Sequence, residues 1–200
     1  MGKLNTISIV NPQRLEIETQ FLQADEMTPK HNKLAISLGR KGITVYNNTP
    51  LLPLINLSED EIGRLAYGCR SSGIEFHHLY IAGHPVQVDW CETHPIELSI
   101  IIDIATALRR KESGRGIPRF IISTPLGDVD FGLCSEATSD QEGRIYIKLK
   151  PYCREYYQSM DPSFAYPADS KVGKDGHPII MVPGLEHTRD FMLDKQKDKT

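Results

Sequence analysis

The chain has 200 residues, 40% of them hydrophobic and 24% charged, with a formal net charge of −3. That is enough for one globular domain or for part of a larger one. Acidic and basic residues are interspersed rather than gathered into a basic stripe, which removes nucleic acid as the default partner. No apolar run approaches the about 20 residues of a membrane helix, and Met1-Gly2-Lys3-Leu4-Asn5 is not followed by the apolar core of a signal peptide. A soluble cytoplasmic protein with no membrane partner is expected.

Leu4 to Val10 is a short apolar stretch that reads as the end of an element. Arg14 to Phe21 then alternates apolar and polar residues at the period of a strand, with Leu15, Ile17, Thr19 and Phe21 on one face. Thr28-Pro29 is a helix start, the hydroxyl capping and the proline sitting in the first turn, and Gly42 closes that helix. Ile43 to Tyr46 is a second strand, which Asn47-Asn48-Thr49-Pro50 breaks. After the apolar connector from Leu51 to Leu57, Ser58 and Glu61 make a capping box for a helix running to Gly73.

Ile74 to Ile81 is a third strand, ended by Gly83-His84-Pro85. Within it His77 and His78 are adjacent, so regular alternation sends them to opposite faces. Thr93-His94-Pro95 starts a third helix with a broad apolar face through Ile96, Ile100, Ile101, Ile104 and Leu108, and basic residues crowd its last turn. Ile117 to Thr124 is a β-branched and aromatic strand that stops at Pro125 and opens into a glycine loop carrying Asp128 and Asp130. Arg144 to Leu149 alternates like a half-exposed strand, Tyr152 to Tyr166 is rich in Tyr and Pro, and the residues after Asp190 form a charged tail.

Four strands alternating with three helices is the pattern of right-handed β-α-β crossovers and a parallel sheet, and three short βα units fit a partial barrel. No G-x-G-x-x-G or P-loop occurs. The expected organisation is a barrel-like α/β part over 1–135, an appended β-containing region over 136–190 and a tail over 191–200.

Parallel strands bring their carboxyl ends to one rim, where ligand sites form. Here the rim collects Gln20, Asn47, Asn48, His78, Tyr80, His84, Ser123, Thr124, Asp128 and Asp130. A polar pocket is one reading of these residues. The other is that turns simply require Asn, Asp and Ser.

Asp128 with Asp130, or Asp89 with Glu92, are candidate carboxylate pairs for acid-base work. His84, Cys91 and His94 together with a carboxylate have ligand chemistry suited to zinc, although their spacing matches no compact zinc module. Cys69, Cys91, Cys134 and Cys153 lie far apart and read as free thiols.

Over roughly residues 10 to 135 the chain resembles the carboxyl-terminal half of the lysine 2,3-aminomutase family of radical S-adenosylmethionine (SAM) proteins. Glu18-Thr19-Gln20-Phe21 through Asp25-Glu26-Met27-Thr28 is similar to the family's Asn-Thr-His-Phe strand and its following Asn-Glu-Ile-Thr. Tyr46-Asn47-Asn48-Thr49-Pro50-Leu51-Leu52 is similar to its Gly-Asn-Gln-Ser-Val-Leu-Leu. Ile74 to Ile81 resembles the strand ending Tyr-Tyr-Ile-Tyr, with Tyr80 on the final tyrosine. Leu108-Arg109, Ser113-Gly114 and Ile117-Pro118 match Leu-Arg, Ser-Gly and Ile-Pro before the last barrel strand.

The resemblance implies a partial (β/α) barrel and a chemistry in which a [4Fe–4S] cluster cleaves SAM to make a carbon radical, as in an isomerase of amino acids. It places Gln20, Asn48 and Tyr80 at positions facing a cofactor cavity. The family's cluster motif, Cys-x-x-x-Cys-x-x-Cys, does not occur in this sequence.

Ser123 stands where the family has an aspartate, and Asp130 stands where it has the lysine that carries pyridoxal phosphate (PLP). An aspartate forms no imine, so PLP chemistry on this loop is not expected. Gln20, Asn48, His78, Tyr80, Ser123, Asp128 and Asp130 are therefore the candidate substrate or cofactor contacts, for a small molecule such as an amino acid.

A half-barrel exposes a strand edge and an inner wall, so the rest of a longer chain or a second copy is the expected partner. Two rival readings are a non-catalytic binding or assembly module, and a metal-assisted hydrolase using His78, His84 and the loop aspartates.

Overall fold

The computed structural model describes residues 14–112, 114–132, 135–168 and 170–186. Cys134, the stretch from Leu4 to Val10 and the charged tail lie outside them. The fold is mixed α/β with two sheets that share a hydrophobic core. The first sheet has the order β1 (Glu16–Thr19), β2 (Thr44–Pro50), β3 (Glu75–Ala82), β5 (Arg119–Thr124) and β6 (Gly127–Asp130). Its first four strands are parallel, while β6 folds back antiparallel on β5.

Helices α1 (Pro29–Gly39), α2 (Glu59–Ser71) and α4 (Leu98–Lys111) make the crossovers. They are packed into the core shared with the sheet face that carries Val45, Phe76, Leu79, Ile81, Phe120 and Ile122. Ile62, Leu65 and Ala66 of α2 and Ile101, Ile104 and Leu108 of α4 are almost wholly buried there. Spacings of three and four residues put each set on one helical stripe, so the apolar periodicity translates directly into packing.

The capping residues work as their chemistry requires. Ser58 accepts the Glu61 N–H at 3.2 Å. The reciprocal half of the expected box does not form, because the Glu61 carboxylate instead accepts the Ala24 N–H at 3.2 Å and pairs with Arg64. Helix α1 ends at Gly39, and Gly42, at φ 75°, closes the turn while Ile43 N–H reaches the Leu38 carbonyl at 3.1 Å.

Three sequence expectations are corrected. Asn47 to Pro50 does not break β2 but completes it, since Asn47, Asn48, Thr49 and Pro50 have register partners in β3. The segment after Gly83 holds a helix that periodicity missed, α3 (Pro85–Thr93), capped by His84 with Pro85 in its first turn. Finally, α4 starts at Leu98 and not at Thr93-His94-Pro95, because Ile96 and Glu97 form the short strand β4, which pairs with Leu185 and Glu186.

The second sheet has the order β4, β10 (Pro178–Glu186), β8 (Arg144–Leu149), β7 (Ser135–Ser139), with β9 (Lys171–Val172) on β10. The alternation read in Arg144 to Leu149 is real: Ile145, Ile147 and Leu149 are buried and their neighbours are not. These three residues join the core of the first sheet, as do Val182 and Leu185.

The stretch rich in Tyr and Pro contributes α5 (Arg154–Met160) and a ring cluster centred on Tyr157, which stacks on Phe164 at 4.4 Å. No helix among the described residues is long and apolar enough to cross a membrane.

Gly83, at the exit of β3, lies at φ 78°, and a Cβ there would sit 1.9 Å from the Ser123 carbonyl oxygen. Both the left-handed backbone and the close approach of two strand ends require glycine. Gly83→Ala is expected to lower the unfolding free energy by about 2 kcal/mol or more in urea denaturation. An unchanged midpoint would contradict this packing of β3 against β5.

Candidate functional site

The face of the first sheet opposite the core carries ring and polar side chains, most of them partly exposed or exposed. Register pairing sorts them into rows, since directly paired residues share a face. Glu18, Tyr46 and Glu75 form one row, and Asn48, His78 and Arg119 the next. Tyr80, Ile121 and Asp130 form a third, with Ser123 and Asp128 beside it.

A β-bulge changes what this face displays. Asn47 pairs with Phe76 and Asn48 with His78, so His77 has no partner in β2. The extra residue turns His77 and His78 to the same side, their ring centroids 3.9 Å apart, while Phe76 and Leu79 both stay in the core. The expectation of opposite faces fails for this reason, because alternation holds only for an unbulged strand. A run of rings results, Tyr46 to His77 at 4.8 Å, His78 to Tyr80 at 5.8 Å, and Tyr80 to His84 at 4.8 Å.

Five of the seven candidate residues enter direct contacts here. Tyr80 donates its hydroxyl to Asp128 Oδ2 at 3.1 Å. The Asn48 side chain, 6% exposed, accepts the His78 N–H at 3.2 Å. Gln20 and His84 approach at 3.2 Å between side-chain nitrogens.

Asp130 is taken up differently, by a two-point ion pair with Arg119. Ser123 lies on the next strand as the register partner of Asp128. The two carboxylates sit not in an open loop but on strand β6 of a tight hairpin. Asp128 keeps its carboxylate toward Tyr80, whereas Asp130 is neutralised by its neighbour.

Protonation follows from the surroundings. Burial, helped by the nearby His77 and Arg119, lowers His78 to about 4. Among the described residues, neither ring nitrogen of His78 has a hydrogen-bond partner. Burial lowers His84 as well, against the pull of Asp128 and Glu18. Burial first, then the Asp128 charge, raises Tyr80 to about 12. At neutral pH His78 and His84 are therefore uncharged imidazoles and Tyr80 an uncharged phenol.

Sequence reasoning set Asn47 on the rim but missed that it, with Asn56 and Gln87, holds this face in place. The carboxamides of Asn47, Asn56 and Gln87 are 0%, 1% and 1% exposed. Asn47 Oδ1 accepts the Phe21 N–H at 2.8 Å, and its Nδ2 donates to Thr49 at 2.8 Å. Asn56 accepts the Leu52 N–H at 2.7 Å and donates to the carbonyls of Leu22 and Pro50. Gln87 donates to the carbonyls of Leu51 and Tyr80 at 2.8 and 2.9 Å. A polar residue inside an apolar connector, Asn56 in Leu51 to Leu57, was the available signal.

Other proposed constellations do not assemble. Asp89 and Glu92 are exposed on α3, and Cys91 is buried. Among the described residues, no three His, Cys, Asp or Glu side chains are grouped so as to hold a metal ion. That geometry gives no support to the zinc site or to the hydrolase reading. Cys69 is pushed up to about 12 by burial, which makes it an inert thiol rather than a ligand.

Comparison with protein-family models and with curated proteins finds no match to this chain.

The depressed His78 has a consequence for stability. Between its ordinary value of 6.5 and about 4, the unfolded chain binds a proton that the folded chain does not. Stability from this residue is thus present above 6.5 and lost as the pH falls toward 4. His78→Gln is expected to flatten the fall in urea midpoint between pH 7 and pH 4.5. An equal fall in both proteins would show that His78 is not kept neutral.

Proposed function

We propose that this chain forms the substrate-facing wall of a partial (β/α) barrel of the radical SAM aminomutase type, completed by the rest of a longer chain or by a second copy. Gln20, Asn48, His78, Tyr80, Ser123, Asp128 and Asp130 are the residues assigned to ligand contact. The observation that carries this reading is the sidedness of the first sheet. One face is packed with helices, while the other displays all of these residues except Gln20 in adjacent rows. Sequence positions that resemble the family's cavity-facing residues, Asn48 and Tyr80, fall on that display.

The chemistry on this wall favours a small cationic or zwitterionic ligand. Asp128 supplies negative charge with the Tyr80 hydroxyl already directed at it, and Asn48 and His78 supply uncharged hydrogen-bonding groups. An amino acid has the matching ammonium group.

The cofactors that the resemblance implies fit this chain's described residues poorly. Asp130, at the position of the PLP lysine, is paired with Arg119 and forms no imine. The cysteines Cys69 and Cys91 are buried singly, and no metal-holding group is assembled among the described residues. Any iron–sulfur group acting with this wall has its ligands elsewhere, so no reaction step is assigned to the residues here. The missing imine lysine also keeps a binding module without catalysis as a second reading.

Titration of the 200-residue chain with a panel of α-amino acids, followed by amide chemical shifts, tests the assignment. Saturable shifts on β3, β5 and β6 are expected for at least one amino acid, weakened tenfold or more, about 1.4 kcal/mol, by Asp128→Asn. Shifts confined to other surfaces, or none with any amino acid, would overturn it. In addition, anaerobic treatment of the chain with iron and sulfide is expected to give no cluster absorbance. A stoichiometric cluster would contradict the placement of its ligands outside this chain.

A further inference from the structure

Beside the polar face, where the ends of β3 and β5 meet strand β10 of the second sheet, lies a cavity of about 480 Å³. Its walls differ in kind from the ring and carboxylate rows. The described lining contains no charged side chain, and its body is Val88, Ile180, Met181 and Val182. Pro85, Pro125, Pro167 and Pro183 complete it. Proline has no N–H, so four wall positions that would otherwise offer water a backbone donor offer none, and their fixed φ makes the walls stiff.

The hydroxyls on the wall are mostly committed. Thr124 donates to the Gly127 carbonyl at 2.7 Å, and Ser170 donates to the Pro167 carbonyl at 2.6 Å. The Ser123 hydroxyl has no partner among the described residues. A stiff apolar hollow with one uncommitted hydroxyl and a volume inside the range of about 300–1,000 Å³ has the make-up of a small-molecule pocket.

We infer that this cavity between the two sheets binds an uncharged small molecule or group with an aliphatic or aromatic body and one hydrogen-bonding end, the latter meeting Ser123. Charge is selected against, because a charged end would lose its water and find no counter-charge among the described lining residues. The inference needs only the cavity and does not rest on the barrel-half reading.

The test uses the full 200-residue chain and three isosteric probes, 1-hexanol, hexylammonium and hexanoate, with amide and methyl chemical shifts as readout. Saturable shifts at Ser123, Ile180, Met181 and Val182 are expected with 1-hexanol, and affinities at least tenfold weaker with both charged probes. Val88 is 38% exposed on α3, so Val88→Trp adds bulk at the mouth without entering the core. This variant, its fold checked by circular dichroism, is expected to lose 1-hexanol binding. Equal affinity for the charged probes, no saturable shift at these four residues, or full binding by a folded Val88→Trp would each overturn the proposal. The probe comparison stands on the unaltered protein should the variant fail to fold.

Discussion

Three buried carboxamides hold the strand ends of the first sheet where main-chain pairing gives out. Parallel strands leave the sheet at different heights, and the backbone groups of the segments that follow need partners once water is excluded. Asn47 serves the turn after β1, Asn56 serves the connector after β2, and Gln87 joins that connector to the end of β3. Each amide uses both its donor and its acceptor; Gln87, for instance, accepts the His84 N–H at 3.1 Å. An apolar residue at any of the three positions would leave at least one backbone group without its partner, at about 1–3 kcal/mol for each.

On this scaffold the polar face is made by two local irregularities. The bulge at His77 turns two imidazoles outward together, and the hairpin of β5 and β6 brings Asp128 back toward Tyr80. The hairpin is itself anchored. Tyr152 donates to the Asp128 carbonyl at 3.0 Å and Tyr157 to the Leu126 carbonyl at 2.7 Å. The stretch rich in Tyr that follows β8 thus helps to position the carboxylate of the first sheet.

Much of the fold could be read from the sequence, because burial writes itself as period. The stripes of α2 and α4, the alternation in β8 and the apolar runs of β3 and β5 all follow from which side chains must leave water. What remained hidden was set by pairing partners distant in sequence. Ile96-Glu97 becomes a strand only because Leu185-Glu186 lies beside it. Asn47-Asn48 reads as a break because Asn favours turns, yet here one amide is buried as a brace and the other accepts from the bulged strand. Of the site, Tyr80, Asn48 and Asp128 were legible, whereas the pairing of Asp130 with Arg119 and the turn of His77 were not. A bulge leaves no mark on period until the register of the neighbouring strand is known.

Buried amides lock the strand ends so that one sheet face can present its polar groups together. Side-chain amide hydrogen exchange by NMR measures this directly. The account predicts that the NH2 groups of Asn47, Asn56 and Gln87 exchange far more slowly than those of exposed Asn and Gln residues in the same protein. Exchange of all three as fast as exposed amides would contradict it, because the strand ends would then be open to water and the face would have no fixed geometry.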